Sequence, residues 1–117
     1  MLTIRPEQLK IFSQAEVQEF EDWVLAHLRR FFPRQCDATG EWSLPSTIQY
    51  GIQRAAVYGI TDRRDVCKYI DLMVVLGRDF DTDQRLSWAG EILKKPRPPR
   101  TKMTALFETA KEHLGRR

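Results

Sequence analysis

The chain has 117 residues, of which 42% are hydrophobic and 30% charged, with a formal net charge of +3. That is the size and make-up of one ordinary soluble globular domain, large enough for a real core and too short for a second one. No apolar run approaches the roughly 18 to 20 residues a membrane helix needs. The N-terminal MLTIRPEQLK lacks the basic, apolar and small-residue succession of a secretory signal, so a cytoplasmic protein without a membrane segment is expected.

The charge is unevenly placed. Before Lys94 there are 11 basic and 14 acidic residues; from Lys94 onward there are 8 basic and 2 acidic. A mildly acidic body therefore carries a basic tail, which suits nucleic acid, an acidic protein or a second copy of the chain. Cys36 and Cys67 are the only cysteines, and in this setting they read as free thiols rather than a bridge.

Along the chain, Leu9 to Phe12 forms a brief apolar-periodic segment after Pro6. Ser13 and Glu16 then have the form of a capping box, which starts a long helix. Val17, Phe20, Val24, Leu28 and Phe31 make one stripe along it, acids come early and bases late, and Pro33 marks its end. Residues 34–43 have no sustained period and read as a surface loop, with Trp42 turned inward. Pro45 belongs in the first turn of the next helix, which starts near Ser43 or Leu44.

The stretch from Tyr50 to Asp83 organises the rest. Ile48, Ile52, Ala55 and Ala56 repeat at helical spacing, Gly59 supplies a left-handed closing residue, and Ile60 folds back over the last turn. Thr61 is expected to cap a new helix, with Asp62 and Asp65 at the positive end of its dipole and Gly77 as its stop. Val66, Tyr69, Ile70, Met73, Val74 and Leu76 make that helix apolar around much of its circumference, so it should be the central one. Asp79, Asp81 and Asp83 alternate like a calcium loop, but Gln84 stands where the turn glycine is required and Gly90 where the bidentate acid is required. The segment therefore reads as a polar turn in which Asp81 or Asp83 caps a short helix from about Gln84 to Leu93.

Lys94 to Arg100, KKPRPPR, reads as a stiff, extended basic linker. Thr101 then caps an amphipathic helix with Met103, Leu106, Phe107, Ala110 and Leu114 on its apolar side. Such a helix needs a groove, on its own core or on another molecule.

Residues that carry chemistry are sparse. His27 and His113 each lie in a C-terminal helical turn, where the dipole favours a partly charged imidazole, and neither has a cysteine or carboxylate at metal-ligand spacing in the sequence. Cys67 falls among core residues, Cys36 in the loop. No nucleophile motif, phosphate loop or dinucleotide fingerprint is visible, so neither a catalytic residue, a metal site nor a cofactor is expected. The basic run lacks a recognition helix, which disfavours nucleic acid. Trp42, Tyr50, Phe80 and Trp88, near loops and helix starts, are the candidates for protein contact, with Lys94, Lys95, Arg97 and Arg100 as the charged part of that surface.

MLTIRPEQLKIF, VLAHLRRFFP and above all YGIQRAAVYGITDRRDVCKYIDLMVVLGRDFD resemble a family of small bacterial proteins encoded beside effector and spike-tip genes of type VI secretion systems. The resemblance covers most of residues 1–93. It implies a co-chaperone that acts with a larger effector chaperone and helps load a toxic effector onto its spike-tip protein, and it brings no catalytic residue. KKPRPPR departs from the family pattern, so the resemblance assigns the tail no role.

These readings combine into an all-α, compact orthogonal bundle of about five helices, with a core domain at 1–93, a basic linker at 94–100 and a C-terminal helix at 101–117 that docks in cis or exchanges in a dimer. The expected function is a non-enzymatic adaptor or co-chaperone, homodimeric, binding a chaperone or effector. An immunity protein that plugs a toxin is the first alternative and a basic-tailed nucleic-acid binder the second.

Overall fold

The computed structural model describes residues 14–38 and 44–115. Over these the chain is an all-α bundle: α1 (Gln14–Phe31), α2 (Pro33–Ala38), α3 (Leu44–Val57), α4 (Arg63–Leu76), a 3-10 turn (Gln84–Leu86), α5 (Ser87–Lys94) and α6 (Pro99–Gly115). None of the described residues is in a strand, and none of their helices is long and apolar enough to cross a membrane. The Leu9–Phe12 segment, the Ser13 cap and Trp42 lie outside the described residues.

Helix α4 is the centre, as its sequence predicts. It packs against α1, α2, α3 and α6, and Val66, Cys67, Tyr69, Ile70, Leu72 and Met73 are all buried. The corner that delivers it is set locally. Gly59 sits at φ 78, and the N–H groups of Gly59 and Ile60 donate to the carbonyls of Ala56 and Ala55 at 3.0 and 2.9 Å, the paired bonds that close a helix on a left-handed residue. Ile60 is fully buried against that closure. The cap that follows is Asp62 and not Thr61: its carboxylate accepts from the N–H groups of Arg64 and Asp65 at 2.9 and 3.4 Å. One carboxylate thereby satisfies two of the first-turn donors and adds charge at the positive end of the dipole. Helices α3 and α4 then approach so closely that a Cβ on Gly51 would stand 2.6 Å from Ile70 Cγ1 and 2.9 Å from Met73 Sδ.

Three sequence expectations change. Residues 34–38 are helical, because Pro33 opens α2 as a first-turn residue instead of only ending α1. The apolar stripe of α1 holds for Phe20, Val24 and Leu28, which are buried, but Phe31 is 59% exposed and Phe32 takes the inward place. Steps of three and four drift around a helix, and after Leu28 a step of four points to the core. The basic linker is also shorter than read. Pro99 starts α6, its fixed φ and missing N–H being harmless in a first turn. Arg100 and Thr101 are thus inside the helix, and the extended part is confined to 95–98.

Helix α6 docks on its own chain. Met103, Leu106 and Ala110 are buried where it meets α4 and α5. Charge fixes its start: Arg100 Nε donates to Asp65 Oδ1 at 3.0 Å, and Lys102, itself buried, donates to the Tyr58 carbonyl at 3.0 Å. Part of the basic tail therefore serves the acidic body of the same molecule.

Candidate functional site

The outer side of α1 carries the most unusual surface of the described chain. Trp23, His27 and Phe31 follow one another at steps of four, so they stand in a row along one face. The Trp23 and His27 rings stack with centroids 6.0 Å apart at 25°, and the His27 and Phe31 rings lie 5.0 Å apart. Trp23 is 54% exposed and Phe31 59%. Phe20, buried one turn earlier, touches Trp23 at 6.2 Å and joins the row to the core. Arg30 covers part of the Phe31 ring, 5.3 Å from its centroid.

His27 links this row to the interior. Its Nε2 lies 2.9 and 3.1 Å from the two oxygens of Asp71 on α4. Cys67 precedes Asp71 by four residues, so α4 presents both on one face. The ligand-capable atoms of His27, Cys67 and Asp71 all lie within 4.8 Å of one another. Burial raises the Asp71 carboxyl above the usual carboxylate range, and the His27 hydrogen bond opposes that shift. The Cys67 thiol is pushed up to about 12, first by burial and then by the charge of Asp71. A thiol so held is protonated at neutral pH and only 4% exposed, which makes it a poor nucleophile despite a histidine and a carboxylate nearby.

No family model, no curated protein and no solved structure matches the chain.

The candidates taken from the sequence lie elsewhere. Phe80, expected at a partner surface, is 1% exposed and packs on Tyr69 with ring centroids 5.0 Å apart. It is a core residue: the turn after Gly77 folds it back beneath α4, so it has no surface to offer. Tyr50 is half-buried, its hydroxyl donating to Asp79 and its ring lying 4.3 Å beneath the Arg78 guanidinium. The Asp79 hydrogen bond, and after it burial, raise that hydroxyl above its ordinary value. Trp88 is half-buried and stacks on His113, with centroids 4.9 Å apart and planes 8° from parallel. Beside this stack a cleft of about 500 Å³ is lined by Val75, Leu76, Leu86 and Leu114 with Arg85 and His113. Lys94, Lys95 and Arg97 are exposed. Arg100 is tied to Asp65 and lies 3.6 Å from Asp62, so the four bases do not act as one free patch.

Of the two expected caps, Asp81 and Asp83, the second is the one that serves. Asp83 caps the 3-10 turn, whereas Asp81 is 3% exposed and accepts from Nε of Arg54 on α3 at 2.9 Å and from the hydroxyl of Tyr58, just past the end of α3, at 2.8 Å. The Tyr69 hydroxyl faces the same carboxylate without completing a hydrogen bond to it. Burial raises both tyrosine hydroxyls, Tyr58 to about 12 and Tyr69 further. The cluster ties α3, α4 and the turn into one body, and with both hydroxyls protonated and the carboxylate enclosed its role is structural.

Sequence reasoning missed the row on α1 by assigning Phe31 to the core stripe. The signal was available: Trp23, His27 and Phe31 repeat at i, i+4 and i+8 on a face offset from Phe20, Val24 and Leu28. The His27–Asp71 contact spans 44 positions, and only the i, i+4 spacing of Cys67 and Asp71 hinted at it.

Proposed function

We propose that this chain is a non-enzymatic adaptor of the co-chaperone kind, which binds a chaperone or effector of a type VI secretion locus through the outer face of α1 and assists effector loading. The observation that carries the reading is the exposed row Trp23, His27 and Phe31, with its two outer rings 54% and 59% exposed. Large aromatics dominate the anchors of protein interfaces, and rings left in water on an otherwise well-packed helix mark a contact surface. The row spans two turns, about 12 Å, which suits the apolar stripe of a partner helix laid along α1. The locus comes from the sequence resemblance; the face comes from the geometry.

The partner surface is accordingly α1 rather than Phe80. Homodimerisation stays part of the proposal, through a surface other than the α1 row. The test is affinity capture of the tagged chain from its bacterial host, beside a Trp23→Ala/Phe31→Ala form of it. Co-elution of a chaperone or effector encoded in the same locus, lost in the double variant, supports the reading. Capture of a toxin domain alone in a one-to-one complex points to immunity, and recovery of nucleic acid alone points to the basic segment.

A further inference from the structure

The meeting of α1 and α4 beneath the aromatic row has a composition that packing does not require. Asp71 is a largely buried carboxylate, its side chain 14% exposed, whose hydrogen-bond partner is His27. A buried anion normally carries a fixed cation beside it or is costly, as Asp81 does in Arg54. Asp71 has an imidazole instead, and one helical turn before it comes a buried thiol with its sulfur facing the same point. Thiol, imidazole and carboxylate are the three ligand types that zinc-like divalent ions take together.

We propose that His27, Cys67 and Asp71 form a binding site for a zinc-like divalent cation, with Nε2, Sγ and a carboxylate oxygen as ligands. Around zinc at its usual bond lengths, such atoms stand roughly 3.3 to 3.7 Å apart. The present ones lie within 4.8 Å of one another, and the His27–Asp71 pair is already at 2.9 Å. Side-chain adjustment alone brings them to the metal, because all three are placed by helices that pack directly, α1 against α4. Binding is balanced as follows. The Cys67 S–H bond breaks and its proton leaves to solvent as the S–metal bond forms. The proton held between His27 Nε2 and Asp71 also leaves that position. His27 then binds through the Nε2 lone pair as a neutral imidazole with its one proton on Nδ1, any excess proton passes to solvent, and Asp71 binds ionised. Two negative ligands then neutralise the two positive charges of the ion. A fourth ligand completes the shell, and His27, with its side chain 24% exposed, is the most solvent-accessible of the three residues. That ligand is a water or a partner's side chain, so the proposal is independent of the adaptor reading.

The probe is cobalt(II), added to the reduced full-length chain and followed by absorption, with zinc(II) then used to displace it. A thiolate-to-cobalt charge-transfer band with tetrahedral-strength visible bands, saturating at one equivalent and bleached by zinc, is expected. Loss of even an outer-shell partner weakens metal sites by about 10- to 100-fold, so Cys67→Ser, His27→Gln and Asp71→Asn should each weaken cobalt binding by more than about 100-fold. Cys36→Ser should leave the band unchanged. Cys67→Ala, which keeps the buried position apolar, carries the sulfur test should the serine form not fold. The absence of a charge-transfer band in the wild-type chain overturns the proposal, as does a band that survives in Cys67→Ala.

Discussion

Two aromatic-rich regions of this chain meet opposite fates. Around Asp81, Tyr69 and Phe80 are buried together, and Tyr58 and two nitrogens of Arg54 donate to one oxygen of the carboxylate. Along α1, Trp23 and Phe31 stand in solvent on either side of a histidine whose carboxylate partner lies inside. In the first region every ring seals the fold, and the charges close on one another. In the second the rings are only partly removed from water, and the polar pair below them is only partly closed. The difference separates what holds the molecule together from the face that we propose meets a partner.

The largest effect should come from opening the inner cluster. Asp81→Ala leaves Arg54 and Tyr58 without their shared acceptor in a buried place, and loss of one partner of a buried pair costs about 3–5 kcal/mol; urea unfolding measures it. Phe80→Ala should fall in the same range of about 3–5 kcal/mol, through the cavity left against Tyr69. A cost near zero for Phe80→Ala would mean that this ring is not core after all and would return it to the surface. Next comes the α3–α4 seam. Gly51→Ala forces Ile70 and Met73 to move, and overpacking of this kind costs about 1–3 kcal/mol, against which the better helix propensity of alanine returns less than about 1 kcal/mol.

At the outer row Trp23→Ala and Phe31→Ala should each cost about 1–1.5 kcal/mol, well below the inner cluster, since each side chain is a little under half removed from water and full burial of a large apolar side chain is worth about 1.5–3 kcal/mol. Smaller effects sharpen the contrast at the tail. Arg100→Ala removes the partner of Asp65, a carboxylate with only 3% side-chain exposure, but the arginine is itself more than half exposed and solvent screens the pair. A loss of about 1 kcal/mol is expected in thermal melts, whereas Lys94→Ala and Lys95→Ala should stay within about 0.5 kcal/mol. Equal losses at all three positions would contradict the cis role of Arg100.

Much of the fold was legible because it is set locally. The left-handed Gly59, the apolar circumference of α4 and the apolar side of α6 each depend on a few neighbouring residues, and each stands where the sequence places it. Errors arose where one residue can serve two roles. Pro33 and Pro99 read as helix stops and linker, yet both are first-turn residues, which local sequence does not decide. Asp81 and Asp83 read alike as caps because both lie in a polar turn; only Asp83 caps, while the partners of Asp81 come from α3 and the turn after it, 27 and 23 positions away. The candidate site was legible least of all. Its row hides in the drift of the α1 stripe, and its polar core joins residues 44 positions apart, a contact that only the packing of α1 on α4 creates.

The adaptor reading turns on whether the α1 row is a contact surface. The most direct measurement is a paired capture from the bacterial host with the wild-type chain and the Trp23→Ala/Phe31→Ala variant, after cooperative thermal melts have shown both to be folded. The account predicts that the wild-type chain retains a chaperone or effector of its locus and that the variant loses it. Equal retention by both proteins would contradict the account and move the contact surface away from α1.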